Sequence, residues 1–211
     1  MEKVEINKAA RLSEHFKLGE MCKTSAKTAD GNIPSHVHIE NLKRLCGWLE
    51  KLRERYNRYY VLDQSIPCVR DQTCSCAYDQ TTPDPSYSGG ETSGGILPLS
   101  RGSQRGSEEP IIGKSITEEP IIINSGYRSE AVNKAVGGAK GSNHLTGCAA
   151  DIRVAGIEQL VRYATILLDI SDESKEDFDE LLLERSPRGS YWLHFAVRPS
   201  GNRRKVRLIQ T

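Results

Sequence analysis

The sequence has no apolar run long enough to cross a membrane; no stretch of its 211 residues approaches the roughly 18 consecutive apolar residues of a spanning helix. Its opening, MEKVEINKAARLSEHF, also lacks the apolar segment of a secretory signal, so a soluble chain made in a cytoplasm is expected. Net charge is nearly missing as well. With 29 Lys and Arg against 28 Asp and Glu the formal charge is +1, too little for a field that gathers nucleic acid or anionic membrane. No nucleic-acid partner and no membrane insertion are therefore expected, and any partner has to be argued from a site. Cysteine is sparse for a disulfide framework: six residues spread over this length, with no secretory signal, read as thiols. Cys68, Cys74 and Cys76 lack the two-residue gap and the second pair that a zinc knuckle needs.

What is present fits one domain over residues 1–211, long enough to bury a sizeable core and expected to be a monomer. From Ile39 the apolar residues fall at Leu42, Leu45, Leu49, Leu52 and Tyr56, the three-and-four spacing of an amphipathic helix that Pro34 and Ser35 are placed to start. LSEHFKLGEM before it reads as a short docking segment. His36 and His38, in HVH at the helix start, read as surface residues ahead of metal ligands.

Composition changes after Tyr60. Residues 63–109 are rich in Gly, Ser, Pro, Thr and Asp, show no sustained period, and read as a low-complexity insertion. EEPIIGKSIT is followed at once by EEPIIINSGY, a near-duplication that makes either two short strands or an accident of local duplication. PIIINS then reads as a strand ending at Ser125. Ser129 is placed to cap a short helix through EAVNKAV, which Gly137 and Gly138 end. GCAADIRV reads as a strand, and residues 157–168 as a helix with Leu160, Val161, Ala164, Leu167 and Leu168 inward. DFDELLLE and YWLHFAVR are two strand-like runs joined by the turn signal RSPRGS. The class is α+β, with helices packed on a small, mainly antiparallel sheet.

GSNHLTGCAAD sets His144 and Asp151 seven residues apart in a run of small residues too poor in apolar bulk for ordinary core. Both are good zinc ligands, and a catalytic zinc needs a third while keeping one position for water. His194, in YWLHFAV, is the one remaining histidine in a strand of the same half. Alone it would read as a hydrogen-bonded core residue; beside the first motif the ligand reading outweighs that.

NSGYRSEAVNKAVGGAKGSNHLTGCAADI, residues 124–152, resembles the zinc D-Ala-D-Ala carboxypeptidases and L-alanyl-D-glutamate peptidases of peptidoglycan, which share the hedgehog/DD-peptidase fold. Their signature S-x-H-x-x-G-x-A-x-D is filled by Ser142, His144, Gly147, Ala149 and Asp151, and their Trp-x-His strand by Trp192 and His194. The resemblance extends to LSEHF, FDELLLE and NRRKV. It implies one Zn2+ per chain held by His144, Asp151 and His194, with water in the fourth position. Arg128 matches the family arginine that offsets charge on the substrate carbonyl oxygen or anchors a substrate carboxylate. Ser142 is expected to support the metal loop through hydrogen bonds and, with Arg128, Tyr191 and Trp192, to face substrate. The implied activity is hydrolysis of an amide bond in peptidoglycan stem peptides, by an enzyme that reaches the wall after phage-type release.

The pattern departs at one place. Several family members carry a glutamate three residues before the last histidine, where this chain has Tyr191. The general base is therefore expected at Glu184, in the strand that pairs with the His194 strand, with Asp179 and Glu180 as fallbacks. A one-residue change of hairpin register would turn Glu184 away. Two other readings stay open: a non-catalytic zinc-bearing wall-binding or virion module, which the missing glutamate favours, and an amidase or dipeptidase acting on a small substrate.

Overall fold

Residues ahead of the first long helix are pinned to it by one carboxylate. Glu50 accepts hydrogen bonds from Ser13 Oγ at 2.6 Å and the His15 amide at 2.7 Å, and pairs with His15 Nδ1 at 2.7 Å. That anchoring lets Phe16 and the short helix α1 (Leu18–Met21) bury their apolar side chains. The docking role expected of LSEHFKLGEM is what the segment performs. The computed structural model describes residues 7–62 and 117–210, all within one compact unit. The insertion expected at 63–109 and the first copy of the duplicated segment, up to residue 116, lie outside the described residues.

Helix α2 (His36–Tyr56) starts where the sequence places it. Ser35 Oγ accepts from the His38 amide at 3.4 Å, and His38 Nδ1 accepts from the Ser35 amide at 3.2 Å, a reciprocal cap that occupies His38. Leu42, Leu45, Leu49, Leu52 and Tyr56 are all buried, each apolar side chain contributing roughly 1.5–3 kcal/mol by leaving water. The helix widens into a π-type turn over Asn57–Leu62. There Asn57 accepts from the Glu119 amide at 2.6 Å and donates to the Glu119 carbonyl at 3.0 Å, so the two described stretches meet.

The second stretch runs β1 (Ile123–Ser125), α3 (Glu130–Ala135), a 3-10 turn (Asn143–Thr146), β2 (Ala149–Arg153), α4 (Ile157–Ser174), β3 (Glu180–Arg185), β4 (Tyr191–Ala196) and β5 (Lys205–Gln210). The strands form one sheet in the order β1-β2-β4-β3-β5, antiparallel except for the β3–β5 pair. One face carries Ala150, Ile152, Leu181, Leu193 and Phe195 into a core shared with α2 and α4. The α+β class and mainly antiparallel sheet follow the sequence reading. Helix α4 is longer than expected and rotated: Val161 is 49% exposed, while Tyr163, Ile166 and Ile170 are buried in its place. Strand β5 is an addition the pattern did not suggest. Among the described residues no helix is long and apolar enough to cross a membrane.

Candidate metal centre

The opposite face of the sheet is polar, and strand register decides what stands on it. Paired residues project to the same side, so Ser125, Asp151, His194, Leu182 and Arg207 form one row across the five strands. The next row holds Arg153, Trp192, Glu184 and Ile209, and the row on the other side Ala149, Ala196, Glu180 and Lys205. The Ser186–Ser190 turn fixes this parity, with the Ser186 amide donating to the Ser190 carbonyl at 2.8 Å. It places Glu184 and Glu180 on the two diagonals flanking His194.

His144 reaches this face from the 3-10 turn. Ser142 caps the turn by accepting from the His144 amide at 3.3 Å, and Gly147 ends it with φ +71°. A Cβ at Gly147 would stand 2.7 Å from the His38 carbonyl oxygen, so both its handedness and the closeness of α2 require glycine. The chain then enters β2, which carries Asp151 to the same spot. A seven-residue spacing thus joins a turn to a strand through one left-handed glycine.

The histidine rings are fixed by what surrounds them. His144, 2% exposed, places Nδ1 2.6 Å from the Gly126 carbonyl oxygen, which can only accept, so Nδ1 carries a proton and Nε2 is the ring nitrogen turned to the cluster. Nε2 lies 3.2 Å from Asp151 Oδ1, and His194 Nδ1 lies 2.9 Å from the same oxygen. The ligand-type atoms of His144, Asp151 and His194 all fall within 4.8 Å of one another. Arg128 binds the other Asp151 oxygen through Nη2 and donates from Nε to Ser125 Oγ at 2.8 Å. Oδ1 is thereby left for the cluster. Two imidazole nitrogens and one carboxylate oxygen converging in a buried place suit a divalent cation that accepts N and O ligands.

The electrostatics separate the carboxylates. Burial works against ionisation of Asp151, yet the neighbouring His144 and His194 hold it far below the usual carboxylate range. Burial also opposes charge on His194, but Asp151 and Glu180 beside it raise its pKa to about 9. Glu180 is depressed, first by His194 and then, against the cost of burial, by Lys205. Glu184 moves the other way: burial raises it, with the Asp151 and Glu180 charges adding and His194 and Arg128 opposing.

A cleft of about 680 Å³ opens over the cluster, lined by Arg128, Ser142, His144, Asp151, Glu184 and Trp192 among others. Of the site residues expected from the sequence, the structure brings Arg128, Ser142, His144, Asp151, Glu184, Trp192 and His194 to the cleft, with the fallback Glu180, and leaves Tyr191 and Asp179 off it. Tyr191 pairs with Arg185 and packs against the core on the far face, with the Arg185 guanidinium 5.5 Å from its ring centroid. In a regular strand a residue three positions from His194 projects to the opposite side, so the substrate contact expected of Tyr191 has no place on the cleft. Asp179, a fallback base, is sealed beneath Arg203 and Arg198. Sequence reasoning missed Asn143, Arg203 and Lys205 around Glu180, because Lys205 reaches that carboxylate through the β3–β5 register, which the sequence pattern does not mark.

A family model described as Peptidase M15 matches residues 114–169. The matched stretch is similar to that family over β1, Arg128, α3, the His144 turn and Asp151, and stops before β3 and His194. Among curated proteins nothing matches the chain.

Proposed function

With the Peptidase M15 similarity as premise, we propose that the protein is a zinc-dependent peptidase that hydrolyses an amide bond in peptidoglycan stem peptides, built on the hedgehog/DD-peptidase fold. The observation that carries the reading is the convergence of His144 Nε2, Asp151 Oδ1 and His194 Nδ1 beneath an open cleft. These three residues would hold zinc, which when bound would supply the Lewis acidity that lowers the pKa of water and polarises the scissile carbonyl. Every other part of the reaction falls to the chain. Glu184 takes the proton of the attacking water and returns it to the leaving amine; its raised pKa suits a base working near neutrality better than Glu180, which cations hold ionised. Diagonal neighbours across an antiparallel pair sit roughly 7–8 Å apart at Cα, which leaves room for one water between Glu184 and the His194 side of the cluster.

Arg128 keeps Asp151 Oδ1 turned to the metal and presents positive charge to the cleft, where it offsets charge developing on the carbonyl oxygen or anchors a substrate carboxylate. Ser142 holds the turn and has no histidine free to activate it as a nucleophile. Trp192 supplies an apolar wall for the substrate. The Glu184 carboxylate on the cleft face favours an enzyme over a non-catalytic zinc module. Incubating the zinc-loaded protein with muropeptides and identifying products by mass spectrometry tests the reading. Cleavage that stops with a chelator and returns with zinc is expected. Intact muropeptides after prolonged incubation with a fully metallated protein would refute it.

A further inference from the structure

His194 Nε2 is buried and has no hydrogen-bond partner, although its ring is otherwise tightly held. It faces Glu180 Oε2 across 3.7 Å, about 1 Å longer than a hydrogen bond. Glu180 is itself held on both oxygens. Oε1 takes Lys205 Nζ at 2.7 Å and Arg203 Nη2 at 3.0 Å, and Oε2 accepts from Asn143 Nδ2 at 3.1 Å. Its side chain is 14% exposed. A carboxylate this enclosed, paired with two cations and pointed at the back of a ligand histidine, is placed to orient that ring.

We propose that Glu180 is a positioning residue for the metal centre: its carboxylate accepts the Nε2–H of His194, fixing the tautomer that presents Nδ1 to the metal and raising that nitrogen's basicity. The inference rests on the metal-centre part of the function proposed above and adds the residue that sets up its third ligand. A ligating imidazole commonly donates its other N–H to a carboxylate or carbonyl, and loss of that partner weakens metal binding. His144 already has such a partner in the Gly126 carbonyl at 2.6 Å; Glu180 supplies the counterpart for His194. The same reading gives β5 a purpose. This edge strand exposes Val206 and Leu208, but its register sets Lys205 beside Glu180, and Arg203 just before it completes the clamp.

The test uses the 211-residue chain and zinc alone. Competition against a chromophoric chelator should show Glu180→Gln binding zinc 10–100-fold more weakly than the parent, while the metal-free variant, which also loses the Lys205 and Arg203 pairs, still unfolds cooperatively at a somewhat lower temperature. Lys205→Met should show a smaller loss in the same direction. Long-range 1H–15N spectra of the zinc-loaded parent should show His194 ligated through Nδ1 with a slowly exchanging Nε2–H. Parental zinc affinity in Glu180→Gln overturns the assignment, and so does ligation of His194 through Nε2, which the parent's spectrum decides even if the variant does not fold. A protein that binds zinc with this Glu180 dependence but leaves muropeptides intact would refute the proposed substrate and leave the assignment standing.

Discussion

Replacing Asp179 with Asn tests how the floor of the site is held. Asp179 is fully buried at the entry to β3 and takes Arg203 Nε and Nη2, both at 2.7 Å, Arg198 Nε at 3.0 Å and Asn143 Nδ2 at 2.7 Å. Burial raises its pKa, but the Arg203 and Asn143 donors outweigh that and hold it below the ordinary value. Breaking a buried ion pair costs about 3–5 kcal/mol, yet Arg198 and Arg203 are 34% and 47% exposed and regain water, so about 2–3 kcal/mol is expected at pH 7. Because the folded pKa lies below the unfolded value near 3.9, this stability is present above that pH and is lost as pH falls through the folded pKa. Urea unfolding of parent and variant should therefore show a gap of about 2–3 kcal/mol at pH 7 that narrows as the pH falls to 3. A gap below about 0.5 kcal/mol at pH 7, or one unchanged from pH 7 to pH 3, would refute the reasoning.

Glu184→Gln should fold and bind zinc like the parent while losing on the order of a hundredfold or more in muropeptide turnover, whereas Tyr191→Phe, on the far face, should turn over at close to the parental rate. Gly147→Ala forces a side chain into φ +71° and against the His38 carbonyl, so its melting temperature and zinc affinity should fall together; a variant that keeps both would mean α2 yields there at little cost. Replacing residues 63–109 with a short Gly/Ser linker should leave a cooperatively folding, zinc-binding protein, since the Asn57–Glu119 bonds already join the two flanks. An insoluble product would mean the removed segment completes the core.

The His144–Asp151–His194 cluster was legible because its residues stand on elements with strong local signals. Small residues and a left-handed glycine between His144 and Asp151 mark a turn feeding a strand, and Trp-x-His marks a strand able to pair with it. The side on which Glu184 stands depends on hairpin parity, which the RSPRGS turn sets and which alternation alone leaves open by one residue. The role of His38 was hidden because a reciprocal cap needs a side chain at the third helical position that reaches back, and histidine is an uncommon choice there. Strand β5 escaped notice because an edge strand with both faces largely exposed carries little of the apolar signal that marks a core strand. The clamp on Glu180 went with it, since Lys205 and Arg203 meet that carboxylate only through the parallel β3–β5 pairing.

Every role proposed for the site depends on the metal. Zinc content measured by plasma mass spectrometry, on protein purified without chelator and supplied with zinc, should give one ion per chain in the parent and almost none in the His144→Ala, His194→Ala double variant. A parent that retains no zinc, or a double variant as fully occupied as the parent, would contradict the assignment of His144, Asp151 and His194 as its ligands.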